Sequence, residues 1–98
     1  MHRRQPTTEY LAECLWPGVT ESDLRELDVR VMASAATSRD SNTRVRYLGA
    51  MLVAEDDVAF FFFTGDSALS VETVARRAGI PFERVVESTR ISSIHKRR

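Results

Sequence analysis

Four polar side chains with acid–base or ligand-binding chemistry interrupt stretches of sequence that are otherwise largely apolar: Glu13, Arg46, Tyr47 and Glu87. A carboxylate in apolar surroundings holds its proton more tightly than in water, and it can then serve as a general acid or base. Glu13 lies between Leu11 and Leu15 and is therefore the candidate catalytic residue. The same four side chains are candidates for binding a small ligand.

A purely structural interpretation of these side chains remains open. Glu13 can form an ion pair with Arg46 or Arg90, and Glu87 can be solvated at the edge of a sheet. Structural ion pairs shift the pKa of a carboxylate, as functional sites also do. No histidine lies near Cys14 in sequence to activate its thiol, so we expect this cysteine to be a small buried apolar residue rather than a nucleophile.

Metal-binding chemistry is poorly represented in the sequence. The only histidines are His2 and His95, near its two ends. Glu13, Cys14 and Glu87 could ligate a metal in principle, but no two of them have the spacing of a motif such as CxxC or HExxH. The spacing of these residues therefore indicates no metal site.

Length and composition predict one small globular domain. The chain has 98 residues, of which 43% are hydrophobic and 29% are charged. No apolar run is long enough to cross a bilayer, and the first residues, MHRRQPTTEY, lack the apolar segment of a secretory signal. A single cysteine cannot form an internal disulfide. We therefore expect a cytoplasmic protein that does not bind membranes.

The net charge of zero hides an uneven distribution. Five of the 14 basic residues lie in residues 1–7 and 92–98, so the remaining nine face 14 acidic residues. We predict flexible basic tails at 1–7 and 92–98 and an acidic folded domain over residues 8–91. An RNA-recognition motif has a basic residue and a glycine before its strand aromatics, whereas Asp56 and Asp57 precede the aromatics here. Nucleic-acid binding is not expected.

Changes in apolar periodicity predict the elements that must position these residues. Strands are predicted over residues 8–16, 44–54, 58–64 and 84–91, a first helix after the N-cap Thr20, a loop over 38–43, and a second helix from Ser67 that ends at Gly79. This β-α-β-β-α-β order is typical of a ferredoxin-like α+β fold, a four-stranded antiparallel sheet with two helices on one face. The first and third strands are then central, and the last lies at an edge.

The run of four phenylalanines from Phe60 to Phe63 lies on the predicted third strand. Side chains alternate between the two faces of a strand, so Phe61 and Phe63 point one way and Phe60 and Phe62 the other. Two helices can cover only one face. We therefore expect the open face to be covered by a second copy of the protein or by an apolar ligand, which makes Phe60 and Phe62 candidate ligand-binding residues. A monomer closed by its own polar tails is the less favourable alternative.

Three segments resemble a family of small bacterial domains of unknown function that includes a nickel-binding protein: EYLAECLWPGVTESDL, RVRYLGAMLVAEDDVAFFFFTGDS and RRAGIPFERVVES. The resemblance extends over about residues 9–90. It implies a ferredoxin-like fold and a dimer, and it makes nickel a possible ligand. The nickel-binding member is expected to use histidines from its strands, whereas His2 and His95 lie in the predicted tails.

The combined interpretation is a homodimer that binds a small molecule or a metal ion in a cavity at the open sheet face. The alternative is a cofactor-independent dimeric α/β-barrel enzyme of the oxygenase, isomerase or cyclase type that acts on a small apolar metabolite. A purely structural interaction module is the third possibility.

Overall fold

A computed structural model of the protein describes residues 8–40 and 44–91. The elements are β1 (Thr8–Leu15), α1 (Glu21–Asp40), β2 (Val45–Val53), β3 (Val58–Gly65), α2 (Ala68–Ala78) and β4 (Arg84–Ser88), with a 3-10 turn (Ala54–Asp56) between β2 and β3. The predicted ferredoxin-like α+β order is confirmed. The tails predicted at 1–7 and 92–98 lie outside the described residues, and no described helix is long and apolar enough to cross a membrane.

The four strands form one antiparallel sheet in the order β2-β3-β1-β4. The register between the two central strands runs from Thr8 opposite Gly65 to Leu15 opposite Val58. Among the described strands β4 pairs with β1 alone, so it lies at an edge, as its mixture of charged and β-branched residues predicts. β3, which carries the four phenylalanines, is central.

The core lies between the sheet and the two helices. Phe61 and Phe63 are fully buried there, whereas Phe60 and Phe62 on the other face are half-buried. The helices contribute the apolar stripes predicted from their periodicity: Leu24, Leu27, Val31 and Ala35 from α1, and Val71, Val74, Ala75 and Ala78 from α2. The alternation of strand side chains therefore leaves one face of the sheet outside the core.

Local hydrogen bonds set the ends of the helices. At the start of α1 the Asp23 N–H donates to Thr20 Oγ1 (3.1 Å) and the Thr20 N–H donates to Asp23 Oδ2 (3.0 Å), a reciprocal cap. The loop predicted to begin at Ser38 was placed too early, because α1 continues to Asp40. Ser38 is buried and its hydroxyl donates to the Ala35 carbonyl (2.9 Å), so its polar group is satisfied within the helix.

The boundaries of α2 agree with the prediction. The Ser70 N–H donates to the N-cap Ser67 Oγ (3.1 Å). Gly79 ends the helix with a φ of 82°, in the left-handed region that favours glycine.

The strands differ from their predicted lengths. β1 ends at Leu15 rather than residue 16, because the chain enters the Pro17-Gly18 turn, and β4 ends at Ser88 rather than residue 91. Ser88 pairs with Glu9, close to the start of β1, so β1 has little further length with which to pair. β2 contains a bulge between Tyr47 and Gly49 that was not predicted.

Candidate functional site

The candidate site is the sheet face that points away from the helices, here called the open face. Its side chains form four cross-strand rows. The first row is Arg46, Thr64, Glu9 and Ser88; the second is Gly49, Phe62, Leu11 and Val86; the third is Met51, Phe60, Glu13 and Arg84; the fourth is Val53, Val58 and Leu15. The first row is polar, the second and fourth are apolar, and the third combines two apolar side chains with the charged pair Glu13 and Arg84.

The apolar side chains of the last three rows adjoin one another and form an apolar band, which Glu13 and Arg84 interrupt on β1 and β4. Leu15 is 57% exposed and Met51 is 50% exposed, while Phe60 and Phe62 between them are half-buried. Four strands about 4.8 Å apart and about eight residues long at 3.3 Å per residue give the whole face an area of about 500 Å². Apolar patches that approach this size are often functional in monomeric proteins.

A cavity of about 330 Å³ opens on this face, lined by Leu48, Gly49, Ala50, Met51, Phe62 and Arg90. The bulge in β2 helps to form it. Gly49 has a φ of 133°, which favours glycine, and a Cβ atom built there would meet no atom within 4 Å. The absence of a side chain at Gly49 therefore leaves space beside Phe62.

Two ion pairs lie on the side of the open face nearer β4. The Arg84 Nε–H donates to Glu13 Oε1 at 2.7 Å, and the two side chains are 65% and 32% exposed. An Arg90 guanidinium nitrogen lies 3.3 Å from Glu9 Oε1. The partner of Glu13 is thus Arg84 rather than Arg46 or Arg90. Arg84 lies directly across from Glu13 on the neighbouring strand, whereas Arg46 is two strands away.

The predicted site residues divide between the two faces of the sheet. Glu13, Arg46, Phe60 and Phe62 lie on the open face. Tyr47 points toward α1 and Glu87 lies opposite Tyr10 on the helix side of the β4 edge, where it is exposed. The structure therefore places four of the six predicted residues on one face, and of these four only Phe62 lines the cavity. Tyr47 and Glu87 lie on the other face.

Tyr47 is anchored between the sheet and α1. Its hydroxyl donates to Asp28 Oδ1 (2.5 Å), and its ring centroid lies 5.3 Å from that of Phe63. Burial raises the pKa of the Tyr47 hydroxyl well above its usual value, and the hydrogen bond to Asp28 and the charge of Asp28 raise it further. Tyr47 therefore keeps its proton and acts as a structural hydrogen-bond donor.

Cys14 faces the helices and is completely buried. Burial raises the pKa of its thiol to about 12, with smaller contributions from the negative charges of Glu83 and Glu13. The thiol is therefore neutral at physiological pH. Cys14 is a small buried apolar residue, as expected, and a poor nucleophile.

The same architecture occurs in a solved structure. The crystal structure of SCO4226 from Streptomyces coelicolor A3(2) matches this chain with a TM-score of 0.64 and 21% sequence identity, over 86% of this chain and 99% of that chain. No protein-family model matches the sequence, and no curated protein matches it. At this level of identity, the likeness concerns the ferredoxin-like fold alone.

The described residues do not fit a nickel site. Within residues 8–40 and 44–91, no three His, Cys, Asp or Glu side chains lie close enough together to hold a metal ion. Glu13 and Cys14 point to opposite faces of the sheet, and the Cys14 thiol resists ionisation. The histidines that nickel would favour, His2 and His95, lie outside the described residues.

Sequence reasoning missed several residues that line the cavity, namely Leu48, Gly49, Ala50, Met51 and Arg90. One signal was available, because a glycine inside a strand often marks a bulge. Gly49 could therefore have indicated a distortion of β2. Nothing in the residue spacing indicated that Arg90, beyond the end of β4, would reach the cavity beside Phe62.

Proposed function

We propose that this protein is a cytoplasmic homodimer that binds a small, largely apolar molecule in a cavity at the open face. One observation carries the proposal. The apolar band of the open face, with Phe60 and Phe62 at its centre, remains accessible to solvent because both helices cover the opposite face.

Burial of this band favours association. Transfer of a Phe or Leu side chain from water to a core contributes roughly 1.5 to 3 kcal/mol, and the phenylalanines of the open face are only partly buried in one chain. A specific interface buries about 800 Å² per partner, more than the estimated area of the face. The proposed interface therefore extends beyond the sheet, with the exposed Leu48 at the bulge next to the apolar band.

The dimensions of the cavity favour a small ligand. Its volume of about 330 Å³ lies at the lower end of the range for small-molecule sites. The cavity opens toward the side on which the second copy would lie. In the proposed dimer, the partner completes the wall of the cavity and excludes water from the ligand.

Binding is proposed rather than catalysis because the candidate acid–base groups have other roles. Glu13 is engaged with Arg84, and Cys14 and Tyr47 are held in their neutral forms on the other side of the sheet. A small molecule is proposed rather than a metal ion, because the described residues do not converge on a metal site.

Light scattering tests the dimer. We expect a particle of twice the 11.1 kDa chain mass at micromolar concentration. Phe62→Ala should weaken association by about 2 kcal/mol or more, because Phe62 lies in the middle of the band. Leu69→Ala is the matched control, since Leu69 is an exposed apolar residue on α2. A compact monomer of the wild-type chain would contradict the proposal.

A further inference from the structure

We propose that the ligand of the open-face cavity is a small amphipathic anion, an aromatic or aliphatic carboxylate whose charged group is bound by Arg90. This inference rests on the proposed function and adds the chemical class of the ligand. Leu48, Met51 and Phe62 supply apolar surface, and Arg90 is the charged residue among the described residues of the lining.

The charges at this end of the open face favour an anion. Arg46 belongs to the first row, and Arg90 reaches the same row through its contact with Glu9. Arg46 does not line the cavity, but together with Arg90 and Glu9 it gives this end of the open face a net charge of +1 from two guanidinium groups and one carboxylate. A ligand carboxylate would balance that charge, and a neutral or cationic ligand would not.

Arg90 is available for exchange because its contact with Glu9 is loose. Both of its nitrogen–oxygen distances to the Glu9 carboxylate are 3.3 Å, and its side chain is 60% exposed. Paired guanidinium and carboxylate groups in a well-formed bidentate contact are closer, at about 2.7 to 2.9 Å. A ligand carboxylate can therefore replace Glu9, particularly in a cavity from which a second copy excludes water.

The volume of the cavity sets the size of the ligand. At about 30 Å³ for each water-sized group, a cavity of about 330 Å³ accommodates about ten non-hydrogen atoms. 3-Phenylpropionate has this size, with a ring that matches the apolar wall and a carboxylate on a short flexible chain. Its alcohol, 3-phenylpropan-1-ol, has nearly the same shape without the charge.

Calorimetric titration with these two compounds tests the inference. We expect 3-phenylpropionate to bind at least about tenfold more tightly than the alcohol, since a charge-assisted contact is stronger than a neutral one. Arg90→Gln should reduce the affinity for the acid to that for the alcohol. Glu9→Gln removes the competing carboxylate and should increase the affinity for the acid several-fold, a gain that misfolding cannot produce. Arg25→Gln, an exposed arginine on α1, is the control and should change neither affinity.

The outcomes separate this inference from the proposed function. Equal affinity for acid and alcohol, unchanged in Arg90→Gln, would overturn the anion and leave the apolar cavity in place. A dimer that binds neither compound at millimolar concentration would overturn both the anion and the ligand cavity. A monomer by light scattering would overturn the proposed dimer, whichever compound binds.

Discussion

At the scale of single residues, Glu13 and Cys14 show how strand alternation separates the chemistry of neighbours. Glu13 lies on the open face in an ion pair with Arg84, while Cys14 lies in the core. Both were candidates for metal or acid–base chemistry from the sequence. Their side chains point to opposite sides of the sheet, so they cannot act on the same group.

The Glu13–Arg84 pair should contribute little to stability. Both side chains retain solvent contact, and pairs of this kind contribute about 1 kcal/mol or less. Glu13→Gln should therefore lower the free energy of unfolding by less than about 1 kcal/mol, measured by urea denaturation. In a double-mutant cycle with Arg84→Gln, the free energy of unfolding of the double variant should be little lower than that of either single variant, because each single substitution already removes the ion pair. A loss of several kcal/mol would contradict this and make Glu13 part of the scaffold.

Cys14 should make the protein less stable at alkaline pH. Its folded pKa of about 12 lies above the ordinary thiol pKa of 9.0, so the folded state keeps a proton that the unfolded state releases between these values. The stabilisation is fully present below pH 9 and is lost as pH rises toward 12, by up to about 1.4 kcal/mol per pH unit. Urea denaturation between pH 8 and pH 11 measures the decline.

Cys14→Ala is the control for that experiment. It should show a shallower decline with pH, although Tyr47 contributes in the same direction because its pKa is also raised. An identical slope in Cys14→Ala and the wild type would contradict the prediction. In addition, iodoacetamide at pH 8 should modify Cys14 only when urea unfolds the protein, since the side chain is completely buried.

At the scale of elements, Asp57 joins the β2–β3 hairpin to the turn between β1 and α1. Its backbone has a φ of 54°, its carboxylate accepts from the Gly18 N–H (3.1 Å), and its carbonyl accepts from the Trp16 N–H (2.8 Å). A carboxylate residue suits this position, because Asp and Asn tolerate the left-handed conformation better than other non-glycine residues. One residue thus fixes two connections of the sheet.

The stability of variants at Asp57 should depend on whether the new residue keeps the side-chain hydrogen bond and tolerates the left-handed backbone conformation. Asp57→Asn keeps an acceptor and tolerates the backbone, so it should change the unfolding free energy by less than about 0.5 kcal/mol. Asp57→Gly loses the side-chain hydrogen bond, but glycine adopts the left-handed backbone conformation without steric strain. Asp57→Ala loses the bond and keeps the strain, and should be the least stable, by about 1 to 2 kcal/mol. Thermal or urea unfolding gives the order, and an alanine variant as stable as wild type would refute it.

The elements that could be predicted from the sequence are those with local signals. Ser67 and Gly79 mark the ends of α2 through hydrogen bonds and backbone angles formed within a few residues. The end of α1 depended instead on Ser38 being buried, which is a tertiary property. The pairing of Glu13 with Arg84 depended on strand register, which periodicity alone does not give.

The candidate site was also predictable only in the parts that follow from local sequence patterns. The apolar open face followed from the alternation of Phe60 to Phe63 and from the number of helices, so it could be predicted. The cavity could not, because it depends on the bulge in β2 and on the path of the chain after β4, which brings Arg90 to Phe62. The fold class and the open face follow from the apolar periodicity of the sequence, whereas the cavity depends on the backbone angles of a few residues.

At the scale of the whole molecule, α1 and α2 cover one side of the sheet, and within residues 8–40 and 44–91 no helix or strand packs on the other side. Any ligand or partner that binds the open face contacts side chains whose positions are already set by the strand register. The histidines that could bind nickel, His2 and His95, lie outside the described residues, six residues before the start of β1 and seven residues after the end of β4.

Nickel affinity should therefore depend on these histidines. We expect the variant with both His2→Ala and His95→Ala to lose most of any nickel binding that the full chain shows in calorimetry, because imidazole is the favoured ligand. Glu13→Gln is the comparison and should leave that binding unchanged. A tight stoichiometric site retained without the two histidines would contradict this, and it would return Glu13, Cys14 and Glu87 to consideration as ligands.

The central position of β1 has a consequence for biosynthesis. β1 is made before the other described elements, but it pairs only with β3 and β4, whose residues begin at Val58 and Arg84. At about 5 to 20 residues per second, translation takes about 3 to 10 s to proceed from β1 through β3. During that time α1 can form from local contacts, while β1 has no strand of its own sheet to join. A central strand of the finished sheet is therefore the one that stays unpaired longest in the growing chain.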